Sequence, residues 1–204
     1  MHTVRFPNDK VVQVTCPNKS GISTVTDILG YPFFNEFRAR GGRSRLLKTG
    51  NWIKTNNYSK EWVIEKKIAI IRDPISRTAS CYADRVMKKN RNNSRSKIPS
   101  FDYFVKNLKT IQETFGDLAV HSRTQIHWLG EDPDFWDEIY NTNQLNTGFT
   151  NSISQISGVQ IPNTSHRKGS GGLSKSFEIT NEHKEIIKSF YAKEYEIYGS
   201  YFAQ

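Results

Sequence analysis

Val11–Leu29 reads V-V-Q-V-T-C-P-N-K-S-G-I-S-T-V-T-D-I-L. Val11, Val12 and Val14 predict a short buried strand over Lys10–Thr15. Gly21-Ile22 opens a helix expected to run to about Leu29, where Gly30-Tyr31-Pro32 should stop it. Between the two lies the loop Cys16–Thr24, with Lys19 at its centre. A strand that feeds a tight loop into a helix leaves backbone N–H groups unpaired, and a lysine beside them adds a positive charge. Such a loop can hold a phosphate-like anion. Gly21 lets the backbone come close to the anion, and Ser23 and Thr24 put hydroxyls into the first helical turn. The order differs from a Walker A loop, in which the lysine follows the second glycine directly before Ser or Thr.

Working outward, Ile68–Asp84 reads I-A-I-I-R-D-P-I-S-R-T-A-S-C-Y-A-D. Its apolar start predicts a strand over Lys67–Arg72, and an unbroken run of this kind suits a parallel strand covered on both faces. Asp73 is the expected N-cap of a following helix, with Pro74 at its first position. Arg72, at the strand end, can fork onto a phosphate through two hydrogen bonds. Ser80 can add another from the helix. Arg77 and Ser80 are three apart and share a face; the plainer use for Arg77 is a surface pair with Asp73 or Asp84. Two strand–turn–helix units predict an α/β protein that binds its ligand at the carboxyl ends of the strands.

The remaining chain supplies further elements. Ser100 should cap a helix over Phe101–Leu108, Phe135–Tyr140 reads as a strand, and Thr147–Ser157 as a helix. Thr180–Tyr198 is the clearest helix, with Ile186, Ile187, Phe190, Tyr191, Glu194, Tyr195 and Tyr198 on one face and Gly199 at the stop. Phe33–Tyr58, Arg85–Lys97 and Ile161–Leu173 read as loops, the first a candidate lid. At 204 residues the chain is expected to form a single domain over 1–204. Its 29 Lys and Arg against 20 Asp and Glu give +9, which favours anionic partners without choosing among them. Two cysteines, Cys16 and Cys81, are too few for a disulfide framework. Met1–Asp9 is polar, no apolar leader core follows, and no run approaches the ~20 apolar residues of a membrane span. The expectation is a cytoplasmic protein of prokaryotic or viral origin.

Two segments carry a family resemblance. The order K-S-G-x-[ST]-[ST] in Lys19–Thr24 resembles the 5′-phosphosulfate loop P-K-x-G-[ST]-[ST] of sulfotransferases, with Asn18 inserted between Pro17 and Lys19. The stretch R-D-P-I-S-R-T-A-S-C-Y resembles the R-D-P-x-x-R-x-x-S-x-Y signature of the carbohydrate-type members. Further on, Phe101–Leu108 with His121-Ser122-Arg123-Thr124-Gln125 resembles a diverged F-x-x-F…H-W-R-P-Q segment, in which Arg123 and Gln125 match. His166-Arg167-Lys168-Gly169 is similar to the R-K-G loop that contacts the 3′-phosphate in cytosolic members. The resemblance spans roughly Val11 to Phe202.

It implies a three-layer α/β sandwich, a central parallel sheet flanked by helices. It also implies transfer of a sulfuryl group from 3′-phosphoadenosine 5′-phosphosulfate (PAPS) to a hydroxyl or amine of a carbohydrate-like or small acceptor, leaving adenosine 3′,5′-bisphosphate (PAP). The implied donor-binding residues are Lys19, Ser20, Gly21, Ile22, Ser23 and Thr24, with Arg72, Ser80, Arg167, Lys168 and Gly169 on the 3′-phosphate side. Lys19 would stabilise charge on the leaving oxygen. No metal is implied, and His121 and His127, six apart, lack helical metal-pair spacing. The general base is left between Glu36 and His121, whose ordinary pKa near ~6.5 suits proton transfer at neutral pH. The competing readings are a kinase-like P-loop nucleotide enzyme, which lacks its G-K-[ST], and a basic nucleic-acid-binding protein, for which no helix-turn-helix, zinc or RNP pattern appears.

Overall fold

The computed structural model describes residues 2–37, 51–53, 62–88, 98–163 and 176–203. Among them runs a five-stranded sheet of β1 (His2–Arg5), β2 (Val11–Thr15), β3 (Trp52–Ile53), β4 (Lys66–Ile71) and β5 (Glu138–Asn141), in the order β3-β1-β2-β4-β5. β2, β4 and β5 are parallel neighbours. β1 is antiparallel to both β2 and β3, so the expected parallel sheet is in fact mixed. The reason lies before Val11. His2–Arg5 turns back within five residues, a connection too short for the crossover that a parallel partner needs.

β4 shows why the sheet is covered on both faces. Successive side chains point to opposite sides of a strand. Ile68 and Ile70 join Val12 and Val14 in a cluster with Val25, Ile28 and Leu29 of α1 (Ile22–Phe34) and with Phe149 and Ile153. Ala69 and Ile71 face Leu129, Trp136 and Tyr198 on the other side. These four β4 side chains are fully buried, which makes this strand the axis of a helix–sheet–helix sandwich. A third cluster joins α2 (Pro74–Cys81) to α3 (Phe101–Lys106), α4 (Leu108–Thr114) and α8 (Asn181–Phe190), through Cys81, Tyr82, Phe104, Leu108 and Ile187. α5 (Gly116–Ser122), α6 (Ile126–Leu129), α7 (Thr150–Ser157) and α9 (Ala192–Phe202) complete the described helices.

Several boundaries moved from their expected places. α1 passes through Pro32 and ends at Asn35, whose φ of 51° and N–H bond to Tyr31 O form a left-handed cap. Burial of Tyr31, Phe33 and Phe34 against the first cluster outweighs the one hydrogen bond that a proline removes. Phe135 belongs to a short 3-10 turn, and the strand starts at Glu138. Leu145–Phe149 forms a π turn before α7. The long helix expected over Thr180–Tyr198 is two helices broken at Tyr191 (φ −106°, ψ 27°), and Gly199 lies within the second. There the Tyr191 hydroxyl reaches Ser122 O at 2.5 Å, a tertiary contact that overrides helical periodicity. No described helix is long and apolar enough to cross a membrane. The proposed lid falls mostly outside the described residues.

Candidate anion-binding site

Parallel register sets the site. Thr15 pairs with Ala69 and Ile71 with Asn141, so β2, β4 and β5 end on one edge of the sheet. The loop Cys16–Gly21 leaves β2 there, Arg72-Asp73 leaves β4, and Thr142–Leu145 leaves β5. The first and third meet at Gly21, and Arg72 reaches the first at Lys19. A Cβ built on that glycine would lie 2.7 Å from Leu145 Cδ1 and 3.6 Å from Thr142 Cγ2, and its φ of 86° is left-handed. The left-handed backbone favours glycine there, and a larger residue would have to push the Leu145 side chain aside.

The loop is tightly wound. Lys19 also has a left-handed φ, of 68°. Ser20 N–H bonds Pro17 O at 3.1 Å, and the Cys16 thiol donates to Ser20 O at 3.2 Å. Burial pushes the Cys16 thiol well up and Cys81 up to about 11, so neither is a thiolate at neutral pH. Gly21 then caps α1 without any side-chain hydrogen bond, and no acidic residue stands in the first turn. The first N–H groups of a thirteen-residue helix are thus left for another acceptor. Ser23 is exposed and Thr24 half-buried, both within that turn. The Ser20 hydroxyl turns inward instead, donating to Gln125 Oε1 at 3.2 Å.

Arg72 ties the two segments together. Its Nη1 donates to Lys19 O at 2.9 Å across 53 residues of sequence, and its Nε to Ser76 Oγ at 3.3 Å. Burial pulls the Arg72 pKa down, with Asp73 opposing, yet a guanidinium stays charged. Asp73 caps α2 as expected: Oδ1 accepts from Ser76 N–H at 2.9 Å, and Oδ2 accepts from the Tyr195 hydroxyl at 2.8 Å. Ser80 is buried on the same helix. Arg77 forms no surface pair. It is 1% exposed and ion-paired with Glu194, also 1% exposed, at 3.3 Å, while its Nη1 donates to Arg123 O.

Around the lysine lies a compact charge cluster. Lys19 Nζ donates to Asp84 Oδ2 at 2.7 Å, and Arg85 and Lys88 approach the same carboxylate. Burial pushes the Asp84 carboxyl up, but the Lys19 hydrogen bond and the three cations outweigh it and hold the pKa below the usual carboxylate value. His121 feels the same cations. Burial first, then Arg85 and Lys19, push its pKa below the ordinary 6.5, so the imidazole is neutral at pH 7. Its Nε2 is 3.7 Å from Asp117 Oδ1, and α5 is anchored to the loop by Asn18 Nδ2 donating to Val120 O at 3.2 Å. Glu36 sits elsewhere, exposed beyond the C-terminal end of α1, a helix that rises about 20 Å from the anion loop. Arg167, Lys168 and Gly169 lie outside the described residues. Among the described residues no group of three or more His, Cys, Asp or Glu is arranged to hold a metal.

Sequence reading named Asp84 only as a surface partner for Arg77, Glu194 only as one residue of a helix face, and Gln125 only as a match to a motif. A signal existed for Glu194: a carboxylate on the apolar face of a helix has to find a buried partner. The donor set at the strand ends is of a kind that can hold phosphate-like anions. It consists of an uncapped helix N-terminus, an ammonium and a strand-end guanidinium, with no competing acid in the first turn. No curated protein and no solved structure matches the chain. A family profile described as the sulfotransferase family does, over residues 18–202, a span that contains Lys19–Thr24, Arg72 and Ser80. With that match laid over this sheet edge, the chain belongs to the sulfotransferase family.

Proposed function

We propose that the protein moves a sulfuryl group from PAPS to a hydroxyl or amine of a carbohydrate-like or small-molecule acceptor. The observation that carries this reading is the bond from Arg72 Nη1 to Lys19 O, which joins the two anion-binding segments into one cradle. A donor with a phosphosulfate at one end and a 3′-phosphate at the other needs two such sites side by side.

PAPS supplies the sulfuryl group and PAP is its leaving group. The first-turn N–H groups of α1, with Ser23 and Thr24, bind the phosphosulfate oxygens. Arg72 and Ser80 bind the 3′-phosphate. Lys19 Nζ neutralises the oxygen that departs as the sulfur–oxygen bond breaks, while the acceptor oxygen bonds to sulfur from the opposite side. His121, rather than Glu36, takes the acceptor's proton: it shares the charge cluster of Lys19, whereas Glu36 lies a helix length away. Asp117 Oδ1, 3.7 Å from His121 Nε2, stabilises the imidazolium that forms.

The test is formation of PAP from PAPS in the presence of a panel of hydroxylated sugars and phenols, followed by mass spectrometry. Acceptor-dependent PAP release is expected, falling about 10²–10³-fold in Lys19→Ala. Release that is independent of acceptor, or unaltered in Lys19→Ala, contradicts the proposal.

A further inference from the structure

Gln125 sits at the crossing of every chain segment that builds the cradle. It is 1% exposed, and its side-chain amide uses its full hydrogen-bonding capacity. Oε1 accepts from Arg72 N–H at 3.0 Å and from the Ser20 hydroxyl at 3.2 Å. Nε2 donates to Arg72 O at 2.9 Å and to Glu194 Oε2 at 2.8 Å. The amide thus pairs with both peptide groups of Arg72 as a further strand would, one residue beyond the end of β4. Glu194 Oε1 in turn accepts from Gln125 N–H at 2.7 Å and from Arg77.

These partners admit a single orientation of the amide. A half-turn of the group would set its NH2 against the Arg72 N–H and its oxygen against a carbonyl and a carboxylate. Glu194, on the C-terminal helix α9, therefore dictates which way Gln125 faces. Gln125 in turn fixes the Arg72 backbone and the Ser20 side of the anion loop together. Arg72 spends Nη1 and Nε on Lys19 O and Ser76, and among the described residues Nη2 has no protein partner.

We propose that Gln125, oriented by Glu194, is the positioning residue that holds Arg72 and the anion loop at the spacing required by the two phosphate-like groups of one donor. It touches no ligand and acts through Arg72 and Ser20. The inference rests on the reading of Arg72 as the 3′-phosphate ligand.

PAP and 5′-AMP, which differ by the 3′-phosphate, are titrated calorimetrically into the wild type, Arg72→Ala, Gln125→Met and Gln125→Glu. Melting curves first establish that each is folded. The ratio of PAP to 5′-AMP affinity is the readout, because a residue that merely supports the fold lowers the melting temperature without changing that ratio. Gln125→Met is expected to lower the ratio at least tenfold. In Gln125→Glu, two buried carboxylates meet, and one takes a proton from solvent at low pH. That variant should keep more of the ratio at pH 5.5 than at pH 8, each measured against the wild type at the same pH. It also carries the test where Gln125→Met fails to fold. A ratio within twofold of wild type at both pH values overturns the positioning role, while loss of the ratio in Arg72→Ala leaves the donor reading intact. A wild type with no preference for PAP overturns both.

Discussion

At the scale of single residues, the proposed chemistry turns on how neighbours hold Lys19 in place and keep His121 neutral. Asp84 holds the ammonium at the loop through a 2.7 Å ion pair. The same cations that depress Asp84 also disfavour a second positive charge on His121, after burial has already done so. An imidazole kept neutral below pH 6.5 is ready to accept a proton across the physiological range. Activity should therefore persist below pH 6.5 and fall only as acid protonates His121 through its lowered pKa. His121→Asn should cut kcat by about 10²–10⁴ and leave PAP affinity unchanged. It should also erase the acidic limb of the kcat/KM profile. An acidic limb that survives the substitution would assign the proton to another group. Gly21 and Lys19 were both legible as loop residues. The crowding of Gly21 by Leu145 and Thr142, 120 or so residues away, is encoded in no local pattern.

At the scale of elements, the parallel pair β2–β4 does the positioning, and the helices that follow hold the geometry. α2 starts where the Asp-Pro pair requires. Asp73 caps Ser76 N–H and also receives the hydroxyl of Tyr195, so one carboxylate joins the helix start to the C-terminal helix. Asp73→Ala removes both bonds and should lower stability by about 1–2 kcal/mol, read from the urea midpoint at unchanged slope. A loss under about 0.3 kcal/mol would mean that water replaces the cap at no cost. The element boundaries show what local reading captures. Ser100 and Asp73 cap their helices as expected, and Thr180, read as the first residue of its helix, is its N-cap. The stop at Pro32 and the unbroken helix past Tyr191 fail because buried aromatic contacts decide those positions. The four-residue β1 and the two-residue edge strand β3 were missed because strands this short lack a periodic signal.

For the whole molecule, three clusters of buried side chains hold one sheet between helical layers, and the C-terminal helix reaches through Glu194 into the wall of the cradle. The fold class was legible because β4 is apolar at four consecutive positions and is followed at once by Arg72-Asp73-Pro74. The two anion segments were legible for the same reason: each is a local strand–turn–helix unit. The Gln125–Glu194 pair was not, since it joins residues 69 apart through buried polar atoms. A net charge of +9 adds a general attraction for anions, and general attraction does not distinguish one nucleotide from another. Discrimination by the 3′-phosphate is therefore the central claim. The most direct measurement is calorimetric titration of the wild type and of Arg72→Ala with PAP, 5′-AMP and ADP. The account predicts micromolar PAP binding to the wild type, at least tenfold tighter than 5′-AMP, and collapse of that difference in Arg72→Ala, since a charge-assisted phosphate contact contributes about 1.5–3 kcal/mol. Equal affinity for PAP and 5′-AMP, or binding of ADP that needs Mg²⁺ and exceeds that of PAP, would contradict it.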